Sequence, residues 1–310
     1  MNMLSVILPA YNEEEMIPEA FTAISAVLGR EQIPFELIYV NDGSADGTWE
    51  QIQKLCGAHA NVTGVHFSRN FGKESAIFAG LEQAKGDCCV VMDCDLQHPP
   101  EKIVEMYRLW EQGYEVVEGL KADRGRESGS NRAGAGLFYR LMSRAAGFDM
   151  TASSDFKLLD RKVADTLNAL PERGVFFRAL SFWCGFRKTE VYYSVQPRTR
   201  GKSKWTKRAL FRYAINNIGS FSSAPLHLVT VLGCIGLLVS LVFSAISLVQ
   251  KIQGVALGGF TTVILLLLFI GSLIMISLGI IGYYIARIYT EIKGRPRYIV
   301  SEILGGKGND

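Results

Sequence analysis

CCVVMDCDLQH, residues 88–98, is the stretch from which the rest of the chain can be placed. Cys88 to Met92 is a short apolar run ended by a polar turn, the mark of a strand buried on both faces. The turn carries carboxylates at Asp93 and Asp95. Residues two apart in an extended segment point the same way, so the pair can share one hard cation. Mg2+ or Mn2+ takes oxygen ligands and often keeps substrate phosphates in its shell, and Gln97 can complete such a site.

Three further runs precede it: LSVILP at 4–9, FELIYV at 35–40 and VTGVHF at 62–67. Helical stretches are predicted between them near 14–28, 46–57 and 73–85, the second opening on Asp46 as its N-cap. Strand–helix alternation predicts an α/β fold with a mostly parallel, doubly wound sheet. Ligands of such sheets bind beyond the carboxyl ends of the strands. The polar clusters at 10–14, 41–44, 68–73 and 93–98 are therefore expected on one edge. In the first, following Pro9, Tyr11 offers a stacking face and Asn12 and Glu13 offer polar groups to a base or ribose. In the second, Asp42 can accept hydrogen bonds from a base or ribose, and Gly43 permits the turn. No GxGxxG follows the first strand, which argues against a dinucleotide dehydrogenase.

Composition changes sharply further on. Residues 213–250 and 252–286 contain no Asp, Glu, Lys or Arg. Spans are predicted at 225–249 and 261–286, each longer than the ~20 residues needed to cross a bilayer. Arg198, Arg200, Lys202, Lys204, Lys207, Arg208 and Arg212 form a basic collar without an acid among them, suited to anionic lipid or phosphate rather than nucleic acid. Residues 202–221 read as an interfacial amphipathic helix. The loop between the spans carries only Lys251, whereas Arg287, Lys293, Arg295 and Arg297 follow the second span. The positive-inside bias places both ends in the cytosol. No basic n-region or cleavage site opens the chain, and the six cysteines include no CxxC pair, so reduced thiols are expected.

VILPAYNEEE, VNDGSADGT, SRNFGKESAIFAGLEQAKGD and VMDCDLQHPPE, in this order, resemble the inverting family-two glycosyltransferases of GT-A fold, and more narrowly the polyprenyl-phosphate glycosyltransferases. The resemblance covers about residues 4–300. It implies a cytoplasmic GT-A domain over 1–200, a juxtamembrane helix over 201–222, a two-helix membrane hairpin over 223–288 and a cytoplasmic tail over 289–310. It implies that Pro9, Tyr11, Asn12, Glu13, Asp42, Lys73 and Asp93 meet the nucleotide-sugar. Asp93, Asp95 and Gln97 would hold Mg2+ or Mn2+, with Asp95 and Asp155 as catalytic residues. Arg124, Arg126, Ser130, Arg132, Arg198, Arg200 and Lys204 would receive the lipid phosphate. The implied reaction moves a hexose, glucose from UDP-glucose first, to polyprenyl phosphate with inversion. GDP-mannose, UDP-N-acetylglucosamine and a UDP-aminoarabinose are alternative donors. A homo-oligomer, a tetramer by resemblance, is expected. A processive polysaccharide synthase would carry a QxxRW motif, which Phe182-Trp183-Cys184 does not complete. An inactive nucleotide-binding membrane scaffold is the rival of another class.

Overall fold

Side chains alternate across the first strand, and this sets the layers. The structure is a computed structural model that describes residues 2–122, 154–172, 176–194, 224–253 and 259–305. Strands β1 (Leu4–Ala10), β2 (Phe35–Asn41), β3 (Val62–Phe67) and β4 (Cys88–Val91) run parallel in the order β4–β1–β2–β3. Helices α1 (Met16–Arg30), α2 (Thr48–Ala58) and α3 (Lys73–Gln83) make the crossovers. Leu4, Val6 and Leu8 join a buried cluster with Ile17 and Ile24 of α1 and with Ile103 and Met106 of α4 (Glu101–Glu111). Ile7 points to the opposite face and meets α3 at Gly80, where an added Cβ would overlap the Ile7 side chain. Apolar residues on both sides of each central strand thus produce helices on both sides of the sheet, as the sequence pattern predicts.

The sheet continues past β4 through β6 (Lys157–Asp160), antiparallel to both β4 and β5 (Val116–Lys121), and ends in β7 (Lys188–Tyr193), parallel to β5. Helices α5 (Arg161–Ala169) and α6 (Phe177–Trp183) lie between β6 and β7 in the chain. Asp46 does not sit at the N-cap itself, which is Gly47. It acts from one residue outside, accepting from the Thr48 amide at 3.1 Å and the Thr48 hydroxyl at 2.5 Å.

The C-terminal region departs from the expected tail. Residues 300–304 form β8 (Val300–Leu304), which pairs antiparallel with β3 at the far edge of the sheet. The approach to it is anchored as well. Tyr298 stacks on Phe67 with ring centroids 5.0 Å apart, and its hydroxyl bonds Glu82. Arg297 lies 4.6 Å over the Phe78 ring and donates to the Leu170 carbonyl. The Ser75 hydroxyl donates to the Arg297 carbonyl at 3.4 Å, and Trp49 Nε1 donates to Glu302 at 3.2 Å. The sheet-bearing unit therefore takes chain from both sides of the apolar segments.

Those segments form a second unit of two helices, α7 (Ala224–Ile252) and α8 (Phe260–Ile292). Val229–Gln250 and Leu266–Ile292, with mean hydropathy 2.5 and 2.3, are long and apolar enough to cross a membrane. The second helix overruns the expected end at 286 by six residues. Nothing in the sequence breaks it before Gly294, whose φ of 66° is the left-handed conformation that closes helices, and Pro296 follows. The predicted helix at 201–222 lies outside the described residues.

Candidate active site

The four polar clusters do converge, because each loop is tied to the next. The Asn12 amide donates to Ser44 Oγ at 2.9 Å, the Ala45 amide donates to Asn12 Oδ1 at 2.8 Å, and the Glu13 amide donates to Thr48 Oγ1 at 2.9 Å. These bonds join the loop after β1 to the loop after β2. Asp42 joins the second loop to the third. Its carboxylate accepts from the Phe71 amide at 2.6 Å and from the Gly72 amide at 2.9 Å. Cys94 Sγ reaches the Pro9 carbonyl at 3.5 Å and sets the fourth loop against the first.

Asp42 is 3% exposed, and the loop that opens α3 takes up both of its oxygens. Burial raises its pKa, against the lowering effect of those amides and of Arg69. It is placed to shape the site, whereas Tyr11 on the neighbouring loop presents an exposed ring.

A row of alternating charges crosses the strand ends. Lys73, the first residue of α3, places Nζ 2.6 Å from Asp93 Oδ1 and 3.0 Å from Asp155 Oδ2. Arg178 of α6 grips Asp155 through both forks, Nε to Oδ1 at 2.6 Å and Nη2 to Oδ2 at 2.7 Å. Burial works against ionised Asp155, but Lys73 and Arg178 outweigh it and hold the carboxyl well below the usual range. Burial likewise opposes charge on Asp93, and Lys73 followed by His98 pulls its pKa down. Lys73 is raised despite its own burial, by Asp93 and then Asp155.

The turn that carries Asp95 is strained. Leu96 sits at φ 54°, which costs a bulky residue about 1–3 kcal/mol. That turn lets the Gln97 amide donate to Asp95 Oδ1 at 3.1 Å. Next to it, His98 is 8% exposed and stacks on Phe156 at 4.7 Å, with no hydrogen-bond partner for Nδ1 among the described residues. Burial lowers its pKa.

The donor set fits a hard divalent cation. Asp93 and Asp95 are carboxylates, and Asp93 already holds a cationic group in contact. No cluster of three or more His, Cys, Asp or Glu arranged for a metal occurs among the described residues. Two protein carboxylates with substrate oxygens are the usual share for Mg2+. Gln97 and Glu13 lie on the same loops and Pro9 lies near the end of β1, while Arg124, Arg126, Ser130, Arg132, Arg198, Arg200 and Lys204 fall outside the described residues.

Three residues of the site were not singled out from sequence. Arg178 is a lone cation in the apolar run Phe176-Phe-Arg-Ala-Leu180, a pattern that signals a buried partner. His98 closes the 93–98 cluster. Glu74 gave no signal, since an acid in the first turn of a helix is ordinary. In the fold Glu74 accepts the Phe177 amide at 2.9 Å, and burial followed by Asp155 raises its pKa to about 7. A carboxyl raised from 4.5 to about 7 on folding stabilises the fold below its unfolded value and loses that contribution as pH rises through about 7. Glu74→Gln can still accept the Phe177 amide. It is expected to flatten the fall of Tm across that range in the full-length protein, and an unchanged Tm–pH profile would contradict the assignment.

A mostly parallel sheet with helices on both faces, gathering a paired-aspartate turn and polar loops at its strand ends, is the GT-A fold. The profile of glycosyl transferase family 2 matches residues 5–167, and the chain belongs to that family. An uncharacterized glycosyltransferase of Synechocystis sp. is 38% identical over 97% of the chain and 96% of its own length. The SfII prophage-derived bactoprenol glucosyl transferase of Shigella flexneri is 33% identical over 96% of the chain and 97% of its own length. Among solved structures, glucosyl-3-phosphoglycerate synthase of Mycobacterium tuberculosis, in complex with Mn2+, UDP and phosphoglyceric acid, superposes with a TM-score of 0.51. It is 20% identical and covers 71% of this chain and 78% of that one, a likeness of fold.

Proposed function

We propose that the chain transfers a hexose, glucose from UDP-glucose in the first instance, to the phosphate of a polyprenyl phosphate, with inversion at the anomeric carbon. The observation that carries the reading is the Asp93–Lys73–Asp155–Arg178 row at the strand ends, where a diphosphate leaving group and a phosphate acceptor can both be met by fixed charge. The likeness to a bactoprenol glucosyl transferase along nearly the whole chain, apolar helices included, supports the lipid acceptor.

A phosphate monoester has a second pKa of ~6 and is largely dianionic near neutral pH. Little base help is needed. Asp155, held in its ionised form by two cations, serves to orient rather than to take a proton. Asp93 and Asp95, with Gln97, hold Mg2+ or Mn2+, which supplies Lewis-acid stabilisation to the departing diphosphate. Tyr11, Asn12 and Glu13, with Pro9 near the end of β1 before them, meet the nucleotide. Asp42 fixes the loop that delivers Lys73. The arginines and lysines outside the described residues suit phosphate through forked or point-charge donors.

Residues before and after the two apolar helices belong to one sheet-bearing unit, which supports an even number of crossings. With the basic flanks, this supports a cytosolic domain on a two-span membrane hairpin. The family resemblance supports a homo-oligomer.

Purified protein incubated with Mn2+, undecaprenyl phosphate and labelled UDP-glucose is expected to move label into organic-extractable lipid, and EDTA is expected to abolish this. Transfer from none of a panel of UDP- and GDP-sugars would favour an inactive scaffold. Full activity in EDTA would remove the metal from the reading.

A further inference from the structure

Lys73 touches the carboxylate that the metal would need. Its Nζ lies 2.6 Å from Asp93 Oδ1, so a divalent ion on that carboxylate would stand a few ångströms from the ammonium and be repelled by it. Lysine is suited to yielding, being a compact charge on a flexible stem with 40% of its side chain exposed. The structure also provides for its departure. Asp155, the second carboxylate under Nζ, is held in parallel by both forks of Arg178 and stays compensated if the ammonium leaves. Lys73 opens α3 on a loop fixed to Asp42, so its backbone keeps its place while the side chain swings.

We infer that Lys73 is a resident counter-cation of Asp93 that competes with the divalent metal, yields when metal and nucleoside diphosphate arrive together, and then pairs with the diphosphate. The inference rests on the reading that Asp93 and Asp95 hold the metal. Its consequence is an order: metal alone binds weakly, because the ammonium it displaces from Asp93 gains no new partner in exchange. Metal with a nucleoside diphosphate binds well, because the phosphates receive that ammonium.

The test is Mn2+ affinity of the full-length protein in detergent, read from the electron paramagnetic resonance signal of free Mn2+, with and without UDP. Lys73→Met is expected to tighten binding of Mn2+ alone by about tenfold, the effect of removing one partly screened positive charge beside the site. It is also expected to diminish the gain that UDP gives. Lys73→Arg, which keeps the charge, should not tighten binding. Lys73→Gln, closer to lysine in polarity, carries the same expectation as Met, so a poorly folded Met variant does not shelter the proposal. Mn2+ binding that is unchanged or weaker in both neutral variants overturns it. A wild-type protein that binds no Mn2+ even with UDP would instead overturn the metal reading beneath it.

Discussion

Asp93→Asn is expected to lower sugar transfer by about a thousandfold or more, the scale on which removal of a charge-stabilising group from an active site is felt. The substitution keeps the shape of the side chain and removes its charge. The fold should tolerate this, because Asp93 is one-third exposed and Lys73 keeps Asp155 at 3.0 Å. Unlike a core defect, the change should leave Tm within a few degrees and abolish the Mn2+ dependence of whatever activity remains. The measurement is label incorporated into lipid at saturating Mn2+. More than a tenth of wild-type activity would place Asp93 outside the chemistry. Asp95→Asn carries the same sign.

Lys157→Met is expected to give the largest loss of stability. Lys157 and Glu118 are 0% and 1% exposed and face each other across β6 and β5 with Nζ 2.7 Å from the carboxylate. The ammonium also donates to Ser181 Oγ at 2.6 Å, and lies 5.1 Å from the Phe177 ring. Removing it leaves a buried carboxylate without its cation, a defect of about 3–5 kcal/mol. For a unit of this size that lowers Tm by about 10 °C. Burial already raises the Glu118 pKa against the pull of Lys157, so Glu118 takes up a proton more readily once the lysine is gone. A raised carboxyl stabilises at low pH and fails as pH rises, so the defect should shrink in acid. Lys157→Met with Glu118→Leu should recover most of the loss, since an apolar pair replaces a buried ion pair at little cost. A single variant melting within about 2 °C of wild type would show the pair to be unimportant.

The central strands and their helices were legible because the apolar runs have a period and length that admit one reading, and because the polar residues fall where the runs end. The paired aspartates stood out for the same reason. The partners of those groups were not legible. Arg178 reaches Asp155 across 23 residues and Lys73 reaches it across 82, and no local pattern encodes either contact. Asp42 was legible as a candidate ligand group, but its bonds to the Phe71 and Gly72 amides were not, because an acid after a strand reads the same whether or not it also ties a neighbouring loop. VSEIL at 300–304 passed as tail because five mixed residues at a sheet edge need only one partner, and that partner is β3, more than two hundred positions earlier.

That late strand has a consequence for how the molecule is made. A ribosome delivers β3 early and its edge partner last, after both hydrophobic helices have emerged. Until then the edge of β3 offers unpaired amides and carbonyls to any passing chain. The nascent domain can gather its interior, but β3 stays the edge of the sheet until the two apolar helices have been synthesised. Chains stalled or clipped before residue 300 should therefore be the ones that aggregate or meet proteases, and pairing of β8 with β3 marks that both apolar helices have been made.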